Sequence, residues 1–162
     1  MTNTRKMAIV AALSALSFLL MFYQIPLVAE FLKLDFSIIP ILLALVLLDF
    51  KSSVAVLLIR SVLKLALNGH GVETLIGLPI NIVAILVFVL FFALFWEKKR
   101  DLMSYLLASF LGILSLTASM LALNAFYAIP LYARFANFDI GQIIGVSKYL
   151  LTMIVPFNLL EG

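Results

Sequence analysis

The sequence predicts an all-α polytopic membrane protein, a compact bundle of five complete transmembrane helices plus the start of a sixth. Three observations carry that prediction. Hydrophobic residues fill 65% of the 162 positions, the mean hydropathy is +1.24, and charged residues make up 12% against about a quarter in soluble domains. A chain of this length holds roughly five or six spans of about 20 residues with tight connections. It therefore reads as a single membrane-embedded domain over residues 1–162, with no room for a soluble one.

Helix 1 is expected over Lys6 to Tyr23, ending before Pro26 because the residue preceding proline resists helical geometry. Its apolar stretch, Met7 to Ile25, is longer than a signal-peptide core and lacks a small-residue cleavage site, so it reads as a retained helix. The following "IPLVAEFLKLDFS" is a loop in which apolar and charged positions alternate. From Phe36 to Leu67 a single helix would be about 48 Å long, too long for a hydrocarbon core of about 30 Å. The polar break "DFKSS" therefore reverses the chain between a short helix 2, Ser37 to Leu48, and helix 3, Ser52 to Asn68. "NGHG" stops helix 3 through residues that accept left-handed geometry.

Helix 4 is expected from Pro79 to Trp96, where an interfacial Trp meets the basic cluster "EKKR". Helix 5 runs from Leu102 to Tyr127. The stretch "ANFDIGQIIGVSKYLLTMIV" reads either as a loop with an interfacial helix or as a poor sixth span interrupted by Lys148. A final helix begins near Pro156 and is cut short at Gly162. With Arg5 and Lys6 in the cytoplasm, the "DFK" and "EKKR" turns share that side, so the positive-inside rule predicts a cytoplasmic N-terminus.

Several chemistries find no support. No GxxxxGK[ST] loop occurs, so the chain cannot hydrolyse ATP alone, and no HExxH or GxSxG motif suggests a membrane hydrolase. The chain is expected to be no enzyme, with no catalytic residues. Without Cys and with His70 as the lone His, no metal centre is expected. The net charge of +3 comes from cations at span ends and gives no sign of nucleic-acid binding. The lipid bilayer is the surrounding partner.

Polar groups inside apolar segments are costly without a partner or a cavity. Arg60, Lys64, Asn81, Asn124, Asn158 and Glu161 fall in this class. Asn81, Lys64, Asn124 and Asn158 lie within two to three turns of the outer ends of their segments and could converge on one pocket, or the asparagines could serve as helix–helix hydrogen bonds while Lys64 snorkels. On helix 1, Ala8, Ala12 and Ala15 recur at spacings of three and four, letting another helix approach closely. With its start at Pro156, the last helix would carry Glu161 roughly 7 Å in, comparable to Lys64 roughly 6 Å from the end of helix 3. The expectation is that Glu161 pairs with Lys64, or with Arg60 if helix 3 sits higher.

"KLDFSIIPILLALVLLD", "LIGLPINIVA", "ALNAFYAIPLYARFANFD" and the terminal "IVPFNLLEG" together resemble the riboflavin-binding S component of energy-coupling-factor vitamin transporters, over nearly the whole chain. The resemblance implies a six-helix fold in the bacterial cell membrane. It implies riboflavin as bound substrate with no cofactor, and partners comprising a shared transmembrane subunit and two ATPase subunits that dock on the alanine face of helix 1. It further implies Asn124 and Asn158 as flavin hydrogen-bonding groups, Asn81 beside them, and Leu34 and Phe36 in a loop closing over the ring system. Glu161 departs from the Lys of some relatives. A carboxamide suits the flavin's uracil-like edge because it offers both donor and acceptor. The alternatives are an S component for thiamine or folate, and a membrane scaffold acting by helix association.

Overall fold

The computed structural model describes residues 2–29, 32–69, 71–135 and 145–161. Its contacts divide into two units, one ending at Asn68 and one beginning at Gly69.

The first unit contains α1 (Asn3–Leu20), β1 (Gln24–Ala29), β2 (Leu32–Asp35), α2 (Ile38–Leu47) and α3 (Phe50–Leu67). The stretch expected as a loop is an antiparallel hairpin, with Gln24 opposite Asp35, Ile25 opposite Leu34, Pro26 opposite Lys33, and an irregularity before Ala29 and Leu32. The alternation of apolar and charged residues is the period of a strand, and Pro26 is tolerated because each strand of a two-stranded sheet is an edge. The three helices pack against one another through small polar side chains as much as through aliphatic ones. The buried residues are Ser14 and Ser17 of α1, Ile41, Ala44 and Leu45 of α2, and Ser53, Val56 and Leu57 of α3, among others. Ser17 Oγ donates to the Ser37 carbonyl at 2.6 Å, and Ser53 Oγ to the Ile41 carbonyl at 2.7 Å. Such contacts let backbones approach and leave no hydroxyl wanting in lipid.

Asp49 starts α3. Its extended backbone and a carboxylate accepting from the Ser52 amide at 2.8 Å make it an N-cap, and the Ser52 hydroxyl adds a bond at 2.9 Å. The cap satisfies amides that a helix start leaves open. α3 ends where the Asn68 amide bonds the Lys64 carbonyl, with φ −143° at Asn68; the left-handed residue of "NGHG" is Gly71, at φ +61°, and His70 lies outside the described residues.

The second unit contains α4 (Gly71–Lys99), α5 (Leu102–Phe135) and α6 (146–161). α4 begins eight residues before the expected start, so Pro79 is internal. In lipid, leaving the helix would expose several amides, whereas an internal proline strands one carbonyl. α5 is capped by Asp101, which accepts from the Ser104 amide at 2.7 Å, and continues past the expected end at Tyr127 to Phe135. α6 begins at Val146, ten residues ahead of Pro156, so the segment around Lys148 is helix. Both α5 and α6 carry prolines without breaking because a π turn precedes each: Asn124–Ala128 before Pro130 and Leu150–Ile154 before Pro156. The expected outer loop around Phe138 lies outside the described residues.

α4 and α5 run antiparallel. At one end Phe92 and Trp96 stack edge-on with Tyr105, with centroids 5.9 and 6.1 Å apart. At the other, Ile76 and Ile80 bury against Ala128, Met120, Leu123 and Tyr132. Midway, Gly112 takes the ring of Phe88: a Cβ there would stand 2.8 Å from Phe88 Cε2. Among the described residues three helices, Asn3–Leu20, Thr74–Trp96 and Leu102–Phe135, are long and apolar enough to cross a membrane. The ten-residue α2 spans only about 15 Å, short as expected.

Candidate functional site

The second unit carries three asparagines at similar distances along α4, α5 and α6. Asn81 lies ten residues after Gly71 on α4, Asn124 eleven residues before Phe135 on α5, and Asn158 twelve residues after Val146 on α6. That is about 15 to 18 Å along each axis. Ile80 and Ala128 share one buried cluster against which Leu123 packs, and the last turns of α6, Val155–Glu161, pack on the Leu102–Leu123 part of α5.

Each of two amides spends its nitrogen on its own helix. Asn124 Nδ2 donates to the Met120 carbonyl at 2.8 Å, and Asn158 Nδ2 to the Ile154 carbonyl at 2.7 Å. Asn158 is 1% exposed, and its Oδ1 is buried with no hydrogen-bond partner among the described residues. An orphaned buried acceptor costs about 1–3 kcal/mol. Such a group is a stored capacity for a ligand's N–H or O–H.

In the first unit the polar residues form a different device. Arg60 of α3, fully buried, donates to the Ser37 hydroxyl and lies 3.6 Å from Asp35. Asp35 also accepts the Ser37 amide at 2.8 Å. Lys64, one turn further along, lies within electrostatic reach of Asp35 and Arg60. Asp35 was not singled out in the sequence, although it sits inside "LDFS". The signal for it was the buried cation itself, since an arginine inside an apolar helix demands a carboxylate. Nearer the start of α1, Lys6 forms an ion pair with Asp49. Its ammonium, more than any other neighbour, holds the Asp49 carboxyl below its ordinary value.

The remaining expected residues fall as follows. Phe36 is half-buried just after β2, and Leu34 is paired with Ile25 in the hairpin, its side chain outside the described residues. Ala8, Ala12 and Ala15 are exposed, roughly opposite the buried Ser14, Ser17 and Met21. Glu161 lies fifteen residues past Val146, not five residues into a helix. The π turn lets the helix run through Pro156, and Lys64, the expected partner of Glu161, belongs to the first unit. Among the described residues no three His, Cys, Asp or Glu side chains gather as metal ligands.

These features define a helical membrane protein with amides and ion pairs held among apolar helices. A family model for the substrate-specific component of ECF transporters matches residues 5–162, and the chain belongs to that family. It is thus a transport component, and one part of a larger transporter. Riboflavin transporter RibU of Streptococcus thermophilus is 58% identical over 100% of this chain and 78% of its own length. RibU of Leuconostoc mesenteroides is 41% identical over 99% and 85%. A solved structure of the S component of a bacterial ECF transporter matches with a TM-score of 0.79 at 26% identity, covering 99% of this chain and 88% of that one.

Proposed function

We propose that this chain captures riboflavin from outside a bacterial cell membrane and delivers it inward with ATP-hydrolysing partners. The observation that carries the reading is the buried, unpaired Oδ1 of Asn158, with Asn124 and Asn81 at similar distances along their helices. The imide N–H of a flavin ring supplies the donor this oxygen lacks, and the neighbouring ring carbonyls match amide donors. A neutral, apolar-walled site with a few convergent polar groups suits a flat tricyclic vitamin. The similarity to transporters named for riboflavin supports the same choice.

Uptake then draws its energy from a shared transmembrane subunit and two ATPase subunits, and no cofactor is needed in this chain. The exposed alanines of α1 are the proposed docking face, with the N-terminus cytoplasmic. Purified protein titrated with riboflavin is expected to quench flavin fluorescence at a one-to-one end point. Saturable binding of thiamine or folate with none of riboflavin would overturn the reading.

A further inference from the structure

α5 and α6 share a construction that substrate binding alone does not call for. Each has a π turn closed by the residue immediately before a proline: the Ile129 amide bonds the Asn124 carbonyl ahead of Pro130, and the Val155 amide bonds the Leu150 carbonyl ahead of Pro156. In a regular helix the Pro156 ring would strike the carbonyl of Thr152, four residues back, and give it no donor. One extra residue in the preceding turn moves that carbonyl aside.

The extra residue also changes the direction of everything after it. Helical residues are about 100° apart, so the nine steps from Tyr149 to Asn158 would place them about 180° apart, on opposite sides. A turn that absorbs one residue reduces this to about 80°. Burial follows the second count: Tyr149, Ile154, Phe157 and Asn158 are 4%, 2%, 4% and 1% exposed, while Leu159 and Leu160 are 45% and 67% exposed. In α5 the same correction brings the buried Leu116 and Ala128 from about 120° to about 20° apart.

We propose that Pro156 and Pro130 are positioning residues for the substrate site: by enforcing a wide turn, Pro156 sets the rotational register that carries the Asn158 carboxamide to the buried side, and Pro130 sets that of the end of α5. The consequence for transport rests on the riboflavin reading, whereas the rotation rests on the helix geometry. Without Pro156 the turn closes to an α-helix. Each later residue then takes the direction its successor now holds, and Asn158 moves to that of the exposed Leu159.

Two readouts separate these premises. In this chain without cysteines, Asn158→Cys reports direction without any flavin. Labelling at this position by a hydrophobic photoactivated carbene probe that partitions into the lipid or detergent phase is expected to be slow with Pro156 present, about tenfold or more faster with Pro156→Ala, and slow again when Leu151, an exposed residue of the wide turn, is also deleted, because the deletion restores the register in a regular helix. With Asn158 retained, Pro156→Ala should weaken riboflavin binding by about tenfold or more, and deletion of Leu151 from that variant should restore most of it. Misfolding of Pro156→Ala that the deletion repairs supports the register equally. Labelling that stays slow in Pro156→Ala, or labelling, binding or folding that the deletion fails to restore, overturns the inference. The stated labelling pattern in a chain whose unaltered form binds no riboflavin upholds the register and overturns the functional reading instead.

Discussion

Asp35 Oδ2 lies 3.6 Å from Nη1 of Arg60, whose side chain has no exposed surface. The pair joins the end of β2 to the middle of α3, and the Ser37 hydroxyl accepts from Arg60 while the Ser37 amide donates to Asp35. Taking one charge away leaves the other buried. Asp35→Ala and Arg60→Ala are each expected to destabilise the protein by about 3–5 kcal/mol, whereas Asp35→Leu with Arg60→Met recovers most of the loss. Thermal unfolding of the three variants in detergent checks this, and additive losses in the double variant would refute it.

Asn158 sets stability against binding. Its Oδ1 is buried without a partner, so Asn158→Leu removes an unfavourable group from the ligand-free protein while deleting the acceptor a ligand needs. The melting temperature without ligand should hold or rise, and riboflavin affinity should fall roughly five- to a hundred-fold. A variant that loses stability and keeps its affinity would place the site elsewhere.

Much of this arrangement was legible in the sequence. Hydrophobic runs and the "DFKSS" break located the spans, and the amides interrupting those runs marked Asn81, Asn124 and Asn158. What was misread traces largely to one rule, that proline ends or begins a helix. It failed at Pro79, Pro130 and Pro156, because lipid penalises a broken helix more than one stranded carbonyl, and because a π turn absorbs the clash. The hairpin was missed although "LKLD" alternates, since four paired residues leave too short a period to outweigh a loop. Asp35 was missed because its partner, Arg60, lies 25 positions away in sequence.

The Lys6–Asp49 pair gives a pH dependence of known sign. Lys6 holds the Asp49 carboxyl below its ordinary value of 3.8. A carboxyl lowered in the folded state contributes stability above its unfolded value and loses it as pH falls through the folded one. Both side chains are about two-fifths exposed, so the contribution is small and salt-screened. Melting temperature should therefore drop as pH falls below about 4, and Lys6→Met should flatten part of that drop at low salt. An unchanged acid limb in the Lys6→Met protein would show that the pair does not set it.

The contact of Gly112 with Phe88 predicts an overpacking effect. A methyl at Gly112 would press on a ring that is 2% exposed and wedged between α4 and α5, so the ring has little room to yield. Gly112→Ala should cost about 1–3 kcal/mol. Phe88→Leu should restore much of it in the double variant, although the same change alone destabilises. Unfolding measurements on all four proteins test the coupling, and a Gly112→Ala protein as stable as the parent would contradict it.

The alanine stripe of α1 supports the last prediction. Ala8, Ala12 and Ala15 are exposed on the side of α1 away from Ser14, Ser17 and Met21, which pack inward. A face made of methyl groups gains little by facing lipid, where larger side chains pack as well, but it lets a partner helix come close enough for dispersion and backbone contacts to accumulate. Replacing Ala12 by Trp adds bulk at the centre of that approach and touches nothing inside the first unit. Co-purification with the proposed transmembrane and ATPase subunits should fall about tenfold or more, while riboflavin affinity of the isolated chain stays unchanged, because the asparagines lie on α4, α5 and α6. Ala8→Trp and Ala15→Trp should act in the same direction. If the three variants assemble and support uptake like the parent, docking uses another face; if they lose flavin binding as well, the stripe belongs to the protein's own packing.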